Sequence, residues 1–132
     1  MPKKALYHFF RYWFPVLFFC IIIFIQSSHP VPEQTCDLPY IDKFLHLTGY
    51  ALLGILFLRG FKHSSWKNNR ALIMVASIVL TGIYGASDEI HQHYVPYRTA
   101  DLWDVVFDFS GGFLGVYMYE IFVRKYPKIK CV

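Results

Sequence analysis

The fold of this chain is decided by residues 16–25, which read Val-Leu-Phe-Phe-Cys-Ile-Ile-Ile-Phe-Ile and carry no charge. A surface helix of a soluble protein shows a polar face that recurs every three or four residues. This stretch is apolar all round, and residues 51–58, Ala-Leu-Leu-Gly-Ile-Leu-Phe-Leu, show a similar pattern. A bundle of such helices would have no exterior that water can wet. Both segments therefore indicate helices that cross a membrane.

The composition of the whole chain agrees with a membrane protein. Of its 132 residues, 55% are hydrophobic and 17% are charged, whereas an average soluble domain has about 25% charged residues. This balance excludes a disordered chain, and three scattered cysteines exclude a disulfide scaffold. We predict an all-α fold: a polytopic membrane protein with one domain over residues 1–132 and four transmembrane helices in a compact bundle. The predicted spans are approximately 9–28, 43–61, 70–90 and 101–123.

The first span shares one feature with a signal peptide, because Lys3, Lys4 and Arg11 precede its apolar run. That run is at the long end of the range for signal peptides, and no Ala-x-Ala-like cleavage site follows it. We therefore expect an uncleaved span.

The charged residues alternate between the two sides of the predicted bundle. The N-terminus, the connection between spans two and three, and the C-terminal tail contain 11 of the 13 basic residues and a single acid, Glu120. The other two connections, with the helix ends that flank them, contain two basic and eight acidic residues. The positive-inside rule then predicts that both termini lie in the cytoplasm. The net charge of +4 is thus a topology signal, and we predict no binding of nucleic acid.

Polar residues at the outer ends of the spans recur at helical spacing. Asp101, Asp104 and Asp108 stand at i, i+3 and i+7, and Asp88 and Gln92 stand at i and i+4. Residues so spaced share one helix face. Ionisable groups at membrane depth are costly unless they pair or face water, so they are functional candidates. Span two offers three more polar residues, each one turn from the next: Asp42, His46 and Tyr50.

Capping or ion pairing can explain some of these residues singly. An acid or hydroxyl at a helix N-terminus is stabilising, so Thr99 or Asp101 can cap span four and Asp42 can cap span two. Arg98 can pair with Asp101 or Asp104. These roles do not require Asp88, Glu89, Gln92 and Asp108 to converge at one membrane surface. We therefore favour a functional polar pocket.

A His-x-His pair, His91 and His93, lies beside Glu89 and could bind a metal ion. No cysteine accompanies the pair, and its spacing is common by chance. We predict no metal site and no cofactor, with one alternative left open, namely a divalent ion that bridges the acidic residues.

The polar motifs resemble those of VanZ-like proteins, a family of small bacterial integral membrane proteins. The matching motifs, between Asp42 and about Tyr119, are Asp42-Lys43-x-x-His46-x-x-x-Tyr50, Asp88-Glu89-x-x-Gln92, Pro96-x-Arg98 and Asp101-x-x-Asp104. The family is named for a member associated with resistance to the glycopeptide teicoplanin. Because the family consists of bacterial integral membrane proteins, the resemblance implies the inner (cytoplasmic) membrane of a bacterium. The chain departs from the family at two positions. It has Tyr97 where the family commonly has Gly, and Asp108 where it commonly has Asn.

The first functional hypothesis is action at the outer leaflet on a lipid or a lipid-linked envelope intermediate. Arg98 would contact phosphate or another anion, since its planar fork matches such groups. No Ser or Cys is placed with a base as an evident nucleophile, and the surplus of acids opposes an anionic substrate unless a divalent ion bridges them. The candidate acid–base residues are Asp88, Glu89 and His46, and the candidate substrate- or anion-binding residues are Arg98, Gln92, Asp101, Asp104, Asp108, Asp42 and Tyr50.

Two further hypotheses remain open, as does whether the protein is an enzyme. The protein could bind a glycopeptide, a lipid-linked cell-wall precursor or a partner protein without turnover, or the polar cluster could only lock the helices together. A channel or transporter is disfavoured, because four short helices with one deep acid could form a proton path only as an oligomer. Membrane lipids are the expected surroundings, and the oligomeric state cannot be read from the sequence.

Overall fold

The structure, a computed structural model, describes residues 2–29, 41–96, 98 and 100–126, and every regular element in those ranges is helical. The elements are α1 (Pro2–His8), a π-helical segment (Phe9–Trp13), α2 (Phe14–Ser27), α3 (Ile41–Lys62), α4 (Arg70–His93) and α5 (Leu102–Lys125). Four helical stretches are long and apolar enough to cross a membrane, namely Lys3–Ser27, Ile41–Lys62, Arg70–His93 and Leu102–Lys125. The prediction of an all-helical protein with four spans is confirmed.

The exterior of the bundle is apolar, as the unbroken hydrophobic runs predict. Ile22, Leu52, Leu80 and Phe113 are all exposed on the outside of their helices. Such a surface is compatible with lipid tails and incompatible with water. The interior holds small and polar residues together with a short apolar core, in which Leu58, Ile73 and Val116 are almost fully buried.

The first span, formed by α1, the π-helical segment and α2, lies at the periphery of the bundle. Only 6% of its most apolar window is buried within the chain, against 28% to 33% for the other three spans. Val16 packs against Tyr50 and Leu53 of α3. The Tyr84 hydroxyl of α4 donates a hydrogen bond of 2.6 Å to the carbonyl of Cys20. These contacts attach the first span to a core made by α3, α4 and α5.

Glycines allow α3 and α5 to approach each other through their backbones. A Cβ atom added to Gly111 would collide with the carbonyl oxygen of Leu47, and one added to Gly115 would collide with that of Ala51. Gly54 of α3 faces Gly112 in the same way, where a Cβ atom would lie 2.9 Å from the Gly112 carbonyl oxygen. Small residues at such crossings let helices pack at short distance in membranes. The close approach fixes the register of α5 against α3.

At the other end of the bundle, an ion-pair cluster joins α3, α4 and α5. The carboxylate of Glu120 is buried and pairs with Lys62 and, at 2.9 Å, with Arg70. A cavity of about 510 Å³ adjoins these residues, with Lys67 and Arg124 also in its wall. The imidazole of His8 meets the carbonyl of His63, so the N-terminal helix reaches this end as well. The described ends of the chain and the α3–α4 connection therefore share one end of the bundle.

The glycine contact predicts a position-specific effect on stability. Replacement of Gly111 or Gly115 by Ala should lower the free energy of unfolding by about 1–3 kcal/mol, because the methyl group forces the backbones apart. Gly49→Ala is the matched control in α3, since a Cβ atom there meets nothing within 4 Å. Unfolding of the purified variants in detergent micelles measures the difference. Equal stability of G115A and G49A would contradict the contact.

The Glu120 cluster predicts a second effect on stability. Glu120→Gln leaves Lys62 and Arg70 facing each other without a counter-charge at a buried position. Loss of one partner from a fully buried pair costs about 3–5 kcal/mol. Since both cations are partly exposed, we expect the free energy of unfolding to fall by about 1–3 kcal/mol. Lys67→Gln alters a neighbouring exposed cation of the same cavity and should leave stability unchanged, so equal losses in the two variants would argue against the cluster.

Candidate functional site

The predicted site residues converge at the end of the bundle where α3 and α5 begin and α4 ends. The glycine contact sets this arrangement, because Gly111 meets Leu47 about one helical turn further from the surface. Asp108 lies one turn outward from Gly111 on α5, and His46 directly precedes Leu47 on α3. The C-terminal turn of α4 adds Glu89 to the same place.

Three of these side chains form a compact group, which we call the His46 cluster: His46, Glu89 and Asp108. Each comes from a different helix, and one nitrogen or oxygen of each lies within 4.8 Å of those of the other two. The Nδ1 atom of His46 is 2.8 Å from Oδ1 of Asp108. Asp108 is 0% exposed and Glu89 is 5% exposed, so both carboxylates are removed from solvent within the chain. The three side chains thus lie together at this end of the bundle.

A hydrogen-bond network on α4 orients the carboxylate of Glu89. The side-chain amide of Gln92 donates to Asp88 at 2.9 Å and to Glu89 at 3.2 Å. The backbone N–H of Asp101 donates to the other oxygen of Glu89 at 3.1 Å, which ties the end of α4 to the start of α5. Asp88 and Gln92, which their spacing places on one helix face, thus contact each other. Both of these residues are buried.

Lys43 is the cation that compensates the outer aspartates. Its ammonium lies 2.8 Å from Asp101 and 2.6 Å from Asp104. Asp101 also accepts from the N–H of Trp103 at 2.9 Å and so caps α5, as one of the structural interpretations predicts. The hydrogen bonds from Lys43 and from the Trp103 N–H hold the pKa of Asp101 below its usual value, so this carboxylate is charged at neutral pH.

This role of Lys43 was not predicted from the sequence, which offered Arg98 as one possible ion-pair partner of Asp101 or Asp104. The available signal was that Lys43 is the only Lys or Arg in the first two turns of α3 and directly follows Asp42. Among the described residues, Arg98 has no carboxylate within 4.0 Å. Its Nη2 lies 3.5 Å from the carbonyl of Gln26, and its Nε is buried without a hydrogen-bond partner there. Arg98 is therefore the cation at this end that forms no ion pair with a described carboxylate.

Two other side chains lie at the margin of the site. Asp42 is in the first turn of α3, with its side chain 55% exposed and 3.9 Å from the Nε2 of His46. Tyr50 is buried one turn below His46, and the two rings are parallel with centroids 6.1 Å apart. Thr99, the alternative cap of span four, falls outside the described residues, as does Tyr97.

His91 and His93 do not form a joint metal site in the described part of the chain. His91 stacks on Phe24 and has its Nε2 3.0 Å from the hydroxyl of Ser28, while His93 is exposed. The Ser28–His91 contact is a serine–imidazole pair that the sequence analysis did not foresee. The Ser28 hydroxyl donates to the carbonyl of Phe24 at 2.6 Å, so His91 is the donor to Ser28 and does not act as its base. The pair joins the first span to α4.

Besides the Nε of Arg98, two buried polar atoms of the site have no hydrogen-bond partner among the described residues. They are Oδ2 of Asp108 and the hydroxyl oxygen of Tyr50. The Asp108 carboxylate fits against Gly85 of α4, where a Cβ atom would lie 2.6 Å from Oδ2. Buried polar atoms in folded proteins are nearly always paired, and each exception requires an explanation. The site is thus not a saturated network of protein groups.

Comparison with known proteins identifies the family. The VanZ/LLP1 family model matches residues 4–123, which include the first span as well as the motifs of spans two to four. Searches of curated proteins and of solved structures give no match to the chain. With its motif residues assembled on three helices and most of its length matched, the chain belongs to the VanZ/LLP1 family, as a multi-pass membrane protein.

Proposed function

We propose that this protein lies in the inner (cytoplasmic) membrane of a bacterium and acts on or binds a lipid or a lipid-linked envelope intermediate at its outer face. The polar site formed by the His46 cluster, its α4 hydrogen-bond network and Arg98 would receive the polar headgroup. A link to glycopeptide (teicoplanin) resistance follows from the family association and belongs to this proposal.

The observation that carries the proposal is the pair of unpartnered buried atoms, Asp108 Oδ2 and the Tyr50 hydroxyl. A polar cluster that only locks helices together is most stable when every member is satisfied, because an unpaired buried polar group costs about 1–3 kcal/mol. Here Asp108 and Tyr50 each keep a buried atom without a described protein partner, whereas the outer members Lys43, Asp101 and Asp104 form ion pairs with one another. This pattern supports a site for a ligand.

Arg98 supports an anionic headgroup as that ligand. Guanidinium groups bind phosphate through two parallel hydrogen bonds, which gives both energy and orientation. Lys43 cannot serve in this way, since it holds two carboxylates at 2.8 Å and 2.6 Å. Arg98 lies between the end of the first span and the start of α5, at the edge of the bundle, where a lipid headgroup can reach it.

The candidate acid–base groups lie deeper than Arg98. In an enzyme, Asp88, Glu89 and His46 would transfer protons to or from a headgroup held by Arg98, since carboxylates and imidazole are the usual groups for this task. In the alternative, the protein is a non-enzymatic binding or assembly protein and the same groups recognise a precursor or a partner. Incubation of purified protein with radiolabelled envelope lipids separates the two, because only an enzyme converts the label to a new species.

The charge distribution supports the orientation within the membrane. The end of the bundle that holds Lys62, Arg70 and the described chain ends carries the basic segments, and the site end carries the acidic ones. Basic flanking segments are retained in the cytoplasm during insertion. Both termini would then be cytoplasmic, with the site facing outward.

Two native cysteines test this orientation. By sequence, Cys36 lies in the connection between spans one and two, and Cys131 lies in the C-terminal tail. A membrane-impermeant maleimide applied to intact spheroplasts should label the C131S variant through Cys36. The C36S variant should be labelled only after lysis, because Cys131 faces the cytoplasm. The C20S/C36S/C131S triple variant controls for background labelling, and the reverse pattern would invert the proposed orientation.

The role of Arg98 predicts a loss of ligand affinity without a loss of stability. Arg98→Gln should weaken binding of a dansyl-labelled polyprenyl phosphate about 10- to 100-fold, because charge-assisted hydrogen bonds contribute about 1.5–3 kcal/mol. Fluorescence anisotropy in detergent micelles measures the affinity, and thermal unfolding should be unchanged. Arg124→Gln removes an exposed arginine at the opposite end and should bind normally.

Asp104→Asn provides the structural contrast to this experiment. It weakens the ion pair with Lys43 and should lower the unfolding temperature, since the pair joins α3 to α5. Equal affinity of R98Q and R124Q, or a loss of affinity that follows loss of stability across the three variants, would favour a cluster that is only structural.

A further inference from the structure

The buried end of the site carries more negative charge than its own cations balance. Four carboxylates are buried there, those of Asp88, Glu89, Asp104 and Asp108. Lys43 pairs with Asp104 and with the exposed Asp101, so it is already shared. Among the described side chains, the remaining three buried acids have only His46 as a basic neighbour. Unbalanced charge in a membrane interior is costly and requires either protons or a cation.

The geometry of the His46 cluster suits a single cation. Its three donor atoms come from α3, α4 and α5 and lie within 4.8 Å of one another. Ligand atoms that share one ion at 2.0–2.2 Å lie about 3 Å apart when adjacent. His46 Nδ1 and Asp108 Oδ1 lie 2.8 Å apart as a hydrogen-bonded pair, and a bound ion would take the place of the proton between them. Asp108 also retains a second oxygen with no described hydrogen-bond partner, in a side chain that is 0% exposed.

The surroundings of the cluster have the features of an outer coordination shell. Hydrogen bonds from outside a metal site commonly fix the orientation of its ligands. Glu89 is held in this way from two sides, by the amide of Gln92 and by the backbone N–H of Asp101. The carboxylate of Asp108 is positioned by the space that Gly85 leaves. The ligand set is thus pre-arranged by rigid helices.

We propose that His46, Glu89 and Asp108 bind one divalent transition-metal ion, Mn²⁺ or Zn²⁺. One imidazole with two carboxylates favours these ions over Mg²⁺ and Ca²⁺, which prefer oxygen ligands throughout. This replaces the prediction from the sequence that no metal site is present. The alternative group of Asp42, His46 and Asp104 is weaker, since Asp104 is held by Lys43 and the Asp42 side chain is 55% exposed.

The metal site extends the proposed function. Only the role of the ion in headgroup binding rests on that function. A divalent cation among the acids gives an anionic headgroup a positive partner, which the acidic site otherwise lacks. Arg98 and the ion would then contact the same headgroup from two sides. Binding of the metal itself can be measured without any lipid substrate.

The test uses the full-length, untagged protein in detergent micelles after removal of metal ions. Titration with Mn²⁺, followed by the electron paramagnetic resonance signal of the free ion, should show one saturable site per chain. Pulsed spectra of the bound ion should show a ¹⁴N coupling from His46. Zn²⁺ should compete with Mn²⁺ for this site, and a large excess of Mg²⁺ should not.

Variants connect the site to its residues. Glu89→Gln and Asp108→Asn should each weaken Mn²⁺ binding at least about 10-fold, the lower limit seen when even outer-shell partners are removed. His46→Gln should abolish the ¹⁴N coupling. His93→Gln is the matched control, because His93 is an exposed histidine at the same end of the bundle. Asn has nearly the same shape as Asp, so D108N is expected to fold.

Specific outcomes would overturn the proposal. These are the absence of a saturable site for Mn²⁺ or Zn²⁺ in the unaltered protein, a bound ion without nitrogen coupling, or equal losses of affinity in H46Q and H93Q. The wild-type titration is decisive even if a variant fails to fold. Polyprenyl phosphate binding that persists in the chelator-treated protein would retain the proposed function and reject a role of the ion in headgroup binding, whereas metal binding without lipid binding would retain the metal site and reject the proposed function.

Discussion

The contact between α3 and α5 through Gly111 and Gly115 is the constraint on which the rest of this structure depends. A helix interface in a membrane gains little from hydrophobic burial, so its geometry is set by how closely the backbones can approach. Here the glycines of α5 rest on the carbonyls of Leu47 and Ala51. This contact fixes the rotation and register of both helices. It places His46 beside Asp108, which lies one turn before Gly111 on α5. A small packing feature thereby determines the chemistry.

The two ends of the bundle treat buried charge differently. At one end, the single carboxylate of Glu120 pairs with two cations, Lys62 and Arg70. These ion pairs also join α3, α4 and α5. At the other end, acids outnumber cations, and Lys43 serves only the outermost of them. Because the cost of burying charge falls when it is balanced, the first arrangement is explained by stability alone. The second is not, and this asymmetry is why function is sought at the acidic end.

Much of this could be predicted from the sequence because it depends on local periodicity. Unbroken apolar runs defined the spans, and spacing of three or four residues placed Asp88 with Gln92 on one face. Which side chains of different helices pair with each other was not predictable in the same way. Lys43, and not Arg98, pairs with Asp101 and Asp104, and Ser28 meets His91. These pairs depend on the relative height and rotation of separate helices, which glycine contacts set and which no single-helix pattern contains.

Asp108 shows how one departure from a family pattern changes the physics of a shared site. The family resemblance of the sequence implies Asn at this position, and an amide there would be neutral and able to donate. A carboxylate of nearly the same shape instead adds a negative charge at a position that is 0% exposed, beside an imidazole 2.8 Å away. The fold around it, including the space beside Gly85, accommodates either group. What differs is the charge to be compensated, so the ligand chemistry of this site is a property of this chain and not of the fold that it shares.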